Sequence, residues 1–152
     1  MKDNKSLIAK RFVNEKVEGH WAVNKDPKSF DELQHHLINT TNMFSFFYKA
    51  ISKVLDFYNP EGLIIADIGG GVGWTSAILG SFPQIKKIYL IDPSIARLEK
   101  AKYIIDHYDV DQSKIIIIEG DFLNFNLPEK VDIAILNGSF HHCFDKDISE
   151  LF

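Results

Sequence analysis

Four glycines in five positions, Gly69, Gly70, Gly71 and Gly73, stand two residues after Asp67. Without a Cβ, such a run lets the backbone approach a ligand closely. Amides freed where the run opens a helix suit an anionic group. A tight turn with no ligand needs fewer glycines, so a ligand cradle is expected here. The dinucleotide spacing G-x-G-x-x-G/A fails in both registers, because Trp74 and Ser76 occupy its last position. Asp92 lies 19 residues beyond Gly73. A carboxylate there can accept from both ribose hydroxyls, and the competing reading is a helix cap in Asp92-Pro93-Ser94. Gly120-Asp121 is by itself an ordinary turn pair. Asn137-Gly138-Ser139-Phe140-His141-His142 brings two histidines that could act as a general base, orient a substrate oxygen, or simply pack. His141, His142 and Cys143 are consecutive and cannot easily converge on one metal ion, so no metal site is expected.

These residues need elements to hold them. Leu63–Ala66, Ile88–Ile91, Ile115–Ile118 and Val131–Leu136 are short apolar runs, and each candidate motif follows one of them. Between them, Trp74–Phe82 and Ser94–Tyr108 have helical character. Near-continuous apolar strands alternating with helices indicate an α/β fold with a parallel sheet covered on both faces. Upstream, Ser29-Phe30-Asp31-Glu32 fits a capping box. Apolar residues then recur at helical spacing as far as Tyr58, interrupted by Asn39-Thr40-Thr41-Asn42, which is expected to split two helices. The Phe44, Phe46 and Phe47 cluster is expected in the core, His35-His36 on the surface, and Trp74 in the core or beside a substrate. Residues 1–28 predict short helices or coil, and Phe12 and Trp21 there are candidates for a lid.

Asp67-Ile68-Gly69-Gly70-Gly71-Val72-Gly73 resembles the first motif of the class I methyltransferases that use S-adenosylmethionine (SAM). The resemblance implies a Rossmann-like parallel sheet of order 3-2-1-4, and SAM as cofactor. It implies that Asp67 meets the methionine ammonium, directly or through water, over Gly69, Gly71 and Gly73. A tail with both ammonium and carboxylate suits an acid beside exposed amides. Asp92 would take the ribose, the Asp121 side chain the adenine amino group, and the Phe122 amide the ring. Asn137 would complete the cofactor set. The family's acceptor usually lies near the segment after the fourth strand, which makes His141 and His142 the candidate catalytic residues. Asn137 and Phe140 also echo the N-P-P-[FY] motif of amino-methylating enzymes, but Gly138 and Ser139 replace its prolines.

The totals narrow the class. The chain has 152 residues, 45% hydrophobic and 25% charged, with a net charge of −4, the balance of one globular domain. An acidic chain gains little from phosphate backbones, so no nucleic-acid partner is expected. A single cysteine allows no internal disulfide and suits the reducing cytoplasm. No apolar stretch is long enough to span a membrane, and none has signal-peptide character. Residues 1–60 read as a helical cap or lid and 61–152 as the cofactor-binding core, which lacks the family's later strands. A shortened chain, a gene fragment, or an assembly whose second chain or homodimer partner covers the exposed fourth strand would each account for that. The expected function is methyl transfer from SAM to a small molecule or similar acceptor. The alternatives are an inactive SAM-binding subunit and an oxidoreductase binding an NAD-type nucleotide. Asp92→Ala is expected to weaken SAM binding while leaving the fold intact.

Overall fold

The computed structural model describes residues 27–58 and 60–140. Helix α1 (Phe30–His35) begins at Ser29, whose hydroxyl accepts from the Glu32 amide at 3.1 Å. The Glu32 carboxylate reaches back to the Lys28 amide at 2.8 Å, one residue outside the usual capping box. A π-helical turn (His36–Thr40) separates α1 from α2 (Met43–Tyr58). The expected break at Asn39–Asn42 is therefore present, and Asn42 takes the left-handed φ of 56° that asparagine tolerates. His35 and His36 are exposed, as expected.

The core then alternates: β1 (Leu63–Ile68), α3 (Trp74–Gly80), β2 (Ile85–Asp92), α4 (Ile95–Asp106), a 3-10 turn (Gln112–Lys114), β3 (Ile115–Glu119) and β4 (Ile133–Ile135). All pairings are parallel, in the order β3-β2-β1-β4. This is the order the family resemblance implies, and the fold is Rossmann-like.

Register assigns the two faces. Ile65, Ile88, Ile115 and Ile133 align across the sheet, and Asp67 aligns with Leu90 and Ile135. This face is covered by helices. Phe47 and Leu55 of α2, and Ile78 and Leu79 of α3, pack on Ile65 and Ile88. Leu98, Ala101 and Ile105 of α4 join Leu90. Leu33 and Leu37 close a further cluster with Ile104, and Val72 and Trp74 pack against it. The N-terminal helices thus reach the glycine turn itself. The opposite face carries Ala66, Ile68, Tyr89 and Ile91, covered by Phe122, Phe125 and Leu127 from the segment after β3. Both faces are covered, but among the described residues helices pack on only one. In the phenylalanine cluster, Phe44 is half-buried and Phe47 buried. Phe46 departs from expectation at 66% exposure, because it lies on the far side of α2.

Candidate functional site

The strand ends are joined into one edge by backbone groups and one side-chain hydroxyl. The Gly69 and Gly70 amides donate to the Ile91 carbonyl at 2.8 and 3.1 Å. The Gly120 amide donates to the Asp92 carbonyl at 3.1 Å. The Ser139 hydroxyl donates to the Ile68 carbonyl at 2.6 Å. Asp67, Asp92, Asp121 and Asn137 therefore sit at the C-terminal ends of four adjacent strands, where open α/β sheets bind ligands.

The glycines divide by function. A Cβ on Gly69 would collide with the Ser139 side chain. On Gly70 it would collide with Leu90 and lie 2.8 Å from the Asp67 Oδ2. On Gly73 it would stand 3.0 Å from the Ala101 Cβ. Three of the four glycines are thus required by packing, a need that their number alone conceals. Gly71 differs. Its φ is +56°, and a Cβ there would meet nothing closer than the Arg97 Cδ and Asp92 Oδ2, both at 4.0 Å. The open part of the turn is Gly71.

Asp67 is fully buried. Strand alternation aims it at the helix-covered face, under α3. Its Oδ2 accepts from the Thr75 hydroxyl at 2.5 Å and the Ser76 hydroxyl at 2.7 Å. Its Oδ1 is buried with no hydrogen-bond partner. Burial pushes this carboxyl above the usual carboxylate range, and the bonds from Thr75 and Ser76 pull it back.

Asp92 is 3% exposed. Its Oδ2 accepts from the Gly71 amide at 3.0 Å and its Oδ1 from the Ser94 amide at 2.9 Å. Ser94, not Asp92, caps α4, its hydroxyl accepting from the Arg97 amide. Asp92 therefore braces the turn. Asp121 is also buried, and its Oδ1 accepts from the Leu123 and Asn124 amides and the Asn124 side chain at 2.7–3.0 Å. It forms the expected turn at a strand end. The Phe122 ring packs on the far sheet face, so only its backbone is available to a ligand. Asn137 is half-buried in the turn after β4. His141 and His142 lie outside the described residues, as do Cys143, Phe12 and Trp21. No group of histidine, cysteine, aspartate and glutamate among the described residues could hold a metal ion.

Sequence reasoning missed Thr75, Ser76, Ser139 and Arg97. Two hydroxyl residues on the buried side of a helix were the available signal for the first pair. Ser139 carries no such signal, because only the approach of β4 to Gly69 explains it. Arg97 is buried in the first turn of α4 beside Gly71, where an exposed arginine would be the sequence default.

The donor set fits an adenosyl amino acid. It offers a buried acid with a vacant acceptor atom, an open glycine, and a second acid beside that glycine. Comparison with known proteins agrees. A family model described as a methyltransferase domain matches residues 65–152. An uncharacterized methyltransferase from Geobacillus sp. (strain WCH70) is 32% identical over 93 residues, covering 60% of this chain and 40% of that protein. The chain thus spans about two fifths of that relative's length. Among solved structures, YJHP from E. coli superposes with a TM-score of 0.56 at 24% identity, over 69% of this chain and 42% of that one. A SAM-dependent methyltransferase from Clostridium acetobutylicum gives 0.53 at 19%, over 69% and 41%. One from Thiobacillus denitrificans, in complex with S-adenosyl-L-homocysteine, gives 0.50 at 23%, over 64% and 38%. These structures share the fold, and the family match covers more than half of the sequence: the chain belongs to the class I, Rossmann-like SAM-dependent methyltransferases.

Proposed function

We propose that this chain binds SAM along the edge from Asp67 to Asn137 and carries the cofactor half of a methyltransferase acting on a small molecule. The observation that carries the reading is Gly71, the one glycine of the turn with open space, set between two buried acids. In this reading Asp67 serves the methionine ammonium, Asp92 the ribose, and Asp121 with the Phe122 amide the adenine. Bound SAM supplies an electrophilic methyl on its sulfonium. The chain's own task is then alignment, which needs no nucleophile on the protein. The turn at half-buried Asn137 and exposed Gly138 precedes His141 and His142 in sequence, and these remain the proposed acceptor-side residues. Residues 1–60 serve as a cap, supported by the packing of Leu33 and Leu37 against Val72. No helix among the described residues is long and apolar enough to cross a membrane, and a reducing cytoplasm is the proposed compartment.

Thermal-shift and calorimetric titration with SAM, S-adenosylhomocysteine and NAD test the cofactor. Stabilisation by the first two supports the reading, and preference for NAD would overturn it. Turnover of a small-molecule acceptor by the purified chain would separate an enzyme from a binding subunit. A second copy of the chain along the β4 edge belongs to the same proposal. A monomeric mass in sedimentation at every concentration would remove it.

A further inference from the structure

Thr75 and Ser76 have no part in the reading above, yet both are buried and both hydroxyls are spent on one atom. Thr75 is 2% exposed and Ser76 0%. Their bonds to the Asp67 Oδ2, at 2.5 and 2.7 Å, saturate that oxygen. Gly70 closes over the same atom, since a Cβ there would lie 2.8 Å from it. The Oδ1 is left buried and without a partner. A buried carboxylate oxygen without a donor is costly, and native proteins rarely keep one without a purpose.

We infer that Thr75 and Ser76 are positioning residues for the cofactor: by holding the Asp67 Oδ2 they keep the Oδ1 free for a cationic donor brought or ordered by the ligand's amino-acid tail. The inference rests on the SAM reading and adds two residues to it. Thr75 and Ser76 act through Asp67 and are not themselves ligand contacts. They also favour the acid's charged form, because hydrogen bonds to a carboxylate work against the burial that raises its pKa. The register partners of Asp67, Leu90 and Ile135, carry no charge. The charged groups facing the turn from the neighbouring elements are Asp92 at the end of β2 and Arg97 in α4. Neither contributes to the shift at Asp67, whose causes are burial and the Thr75 and Ser76 bonds alone.

The test is calorimetric binding of S-adenosylhomocysteine, which keeps the amino-acid tail, from mildly acid to mildly alkaline pH. Wild type, Thr75→Val, Ser76→Ala and the conservative Thr75→Ser are compared. Wild-type affinity is expected to fall on the acid side as Asp67 takes up a proton. In Thr75→Val and Ser76→Ala the fall begins at higher pH. Affinity at neutral pH is then lower by about tenfold, the worth of one hydrogen bond to a charged group, and recovers as pH rises. Thr75→Ser keeps the wild-type profile. A loss of the same factor at every pH would mark mere packing and overturn the inference, as would unchanged binding. Unfolding midpoints are recorded alongside. If Thr75→Val does not fold, Ser76→Ala decides. A wild-type protein that binds no S-adenosylhomocysteine at any pH would overturn the SAM reading and this inference with it. Wild-type binding with unshifted variants would overturn the inference alone.

Discussion

The centre of the sheet and its β4 edge are built on different terms. Along β1, Ile65, Ala66, Asp67 and Ile68 are each at most 4% exposed, with paired strands on both sides. β4 is three residues long, with Ala134 exposed and its two isoleucines half-buried. Its entry is fastened by one residue. The Asp132 amide donates to the Ile64 carbonyl, and the Asp132 carboxylate accepts from the Ile64 amide, both at 2.8 Å. The proposed cofactor residues Asp67 and Asp92 belong to the buried centre, whereas the proposed acceptor-side residues follow the thin edge in sequence. The difference teaches that the positions of Asp67 and Asp92 are locked by the core.

Ala66 and Ala134 are register partners and make the sharpest comparison. Ala66→Asp buries an unpaired charge at a site 1% exposed, and is expected to cost about 4 kcal/mol or more. Ala134→Asp is expected to change stability by no more than about 0.5 kcal/mol. Urea denaturation of both reads the contrast, and equal costs would show that β4 is as enclosed as β1.

Within the glycine turn, Gly70→Ala forces a methyl into Leu90 and Asp67 and should cost about 3 kcal/mol. Gly71→Ala meets no such wall and should cost about 1 kcal/mol for its left-handed backbone, while weakening S-adenosylhomocysteine binding far more than that cost suggests. Thermal unfolding paired with calorimetry separates the two. Comparable binding loss per unit of stability would erase the distinction between packing and open glycines.

Asp92→Ala strips the acceptor from the Gly71 and Ser94 amides. The sequence expectation of an intact fold with weakened binding therefore needs adjustment. A stability loss of about 1–3 kcal/mol should accompany the loss of affinity. Chemical denaturation checks the first and calorimetry the second.

Asp67→Asn gives the smallest stability effect, and of the opposite sign. The folded-state pKa of Asp67 is raised by burial, so folding disfavours its charged form. Its stabilising contribution is complete below the ordinary aspartate value and is lost as pH rises through the folded value. Asparagine removes that penalty. At neutral pH the variant should be as stable as wild type or slightly more so, with the advantage vanishing at acid pH, while cofactor affinity falls. A variant less stable at neutral pH than at acid pH, relative to wild type, would contradict the sign.

Much was legible without coordinates. Four apolar runs and the breaks between them locate β1 to β4, and the Asp67-to-Gly73 spacing separates this turn from a dinucleotide cradle. The break at Asn39–Asn42 and the Ser29 cap follow from local propensity, which acts over a few residues and so is written locally. By contrast, the roles of the individual glycines depend on Ser139, Leu90 and Ala101, which are distant in sequence and adjacent only after folding. The Thr75–Ser76–Asp67 lock also required the register of β1 and the seating of α3 above it. The sequence by itself determined the strand and helix rhythm, the acids at the strand ends and the family. Only the tertiary structure decided which glycine is open, which carboxylate oxygen lacks a partner, and that β4 is the weak edge. Periodicity and composition are properties of neighbours along the chain, whereas steric exclusion and hydrogen-bond satisfaction are properties of neighbours in space.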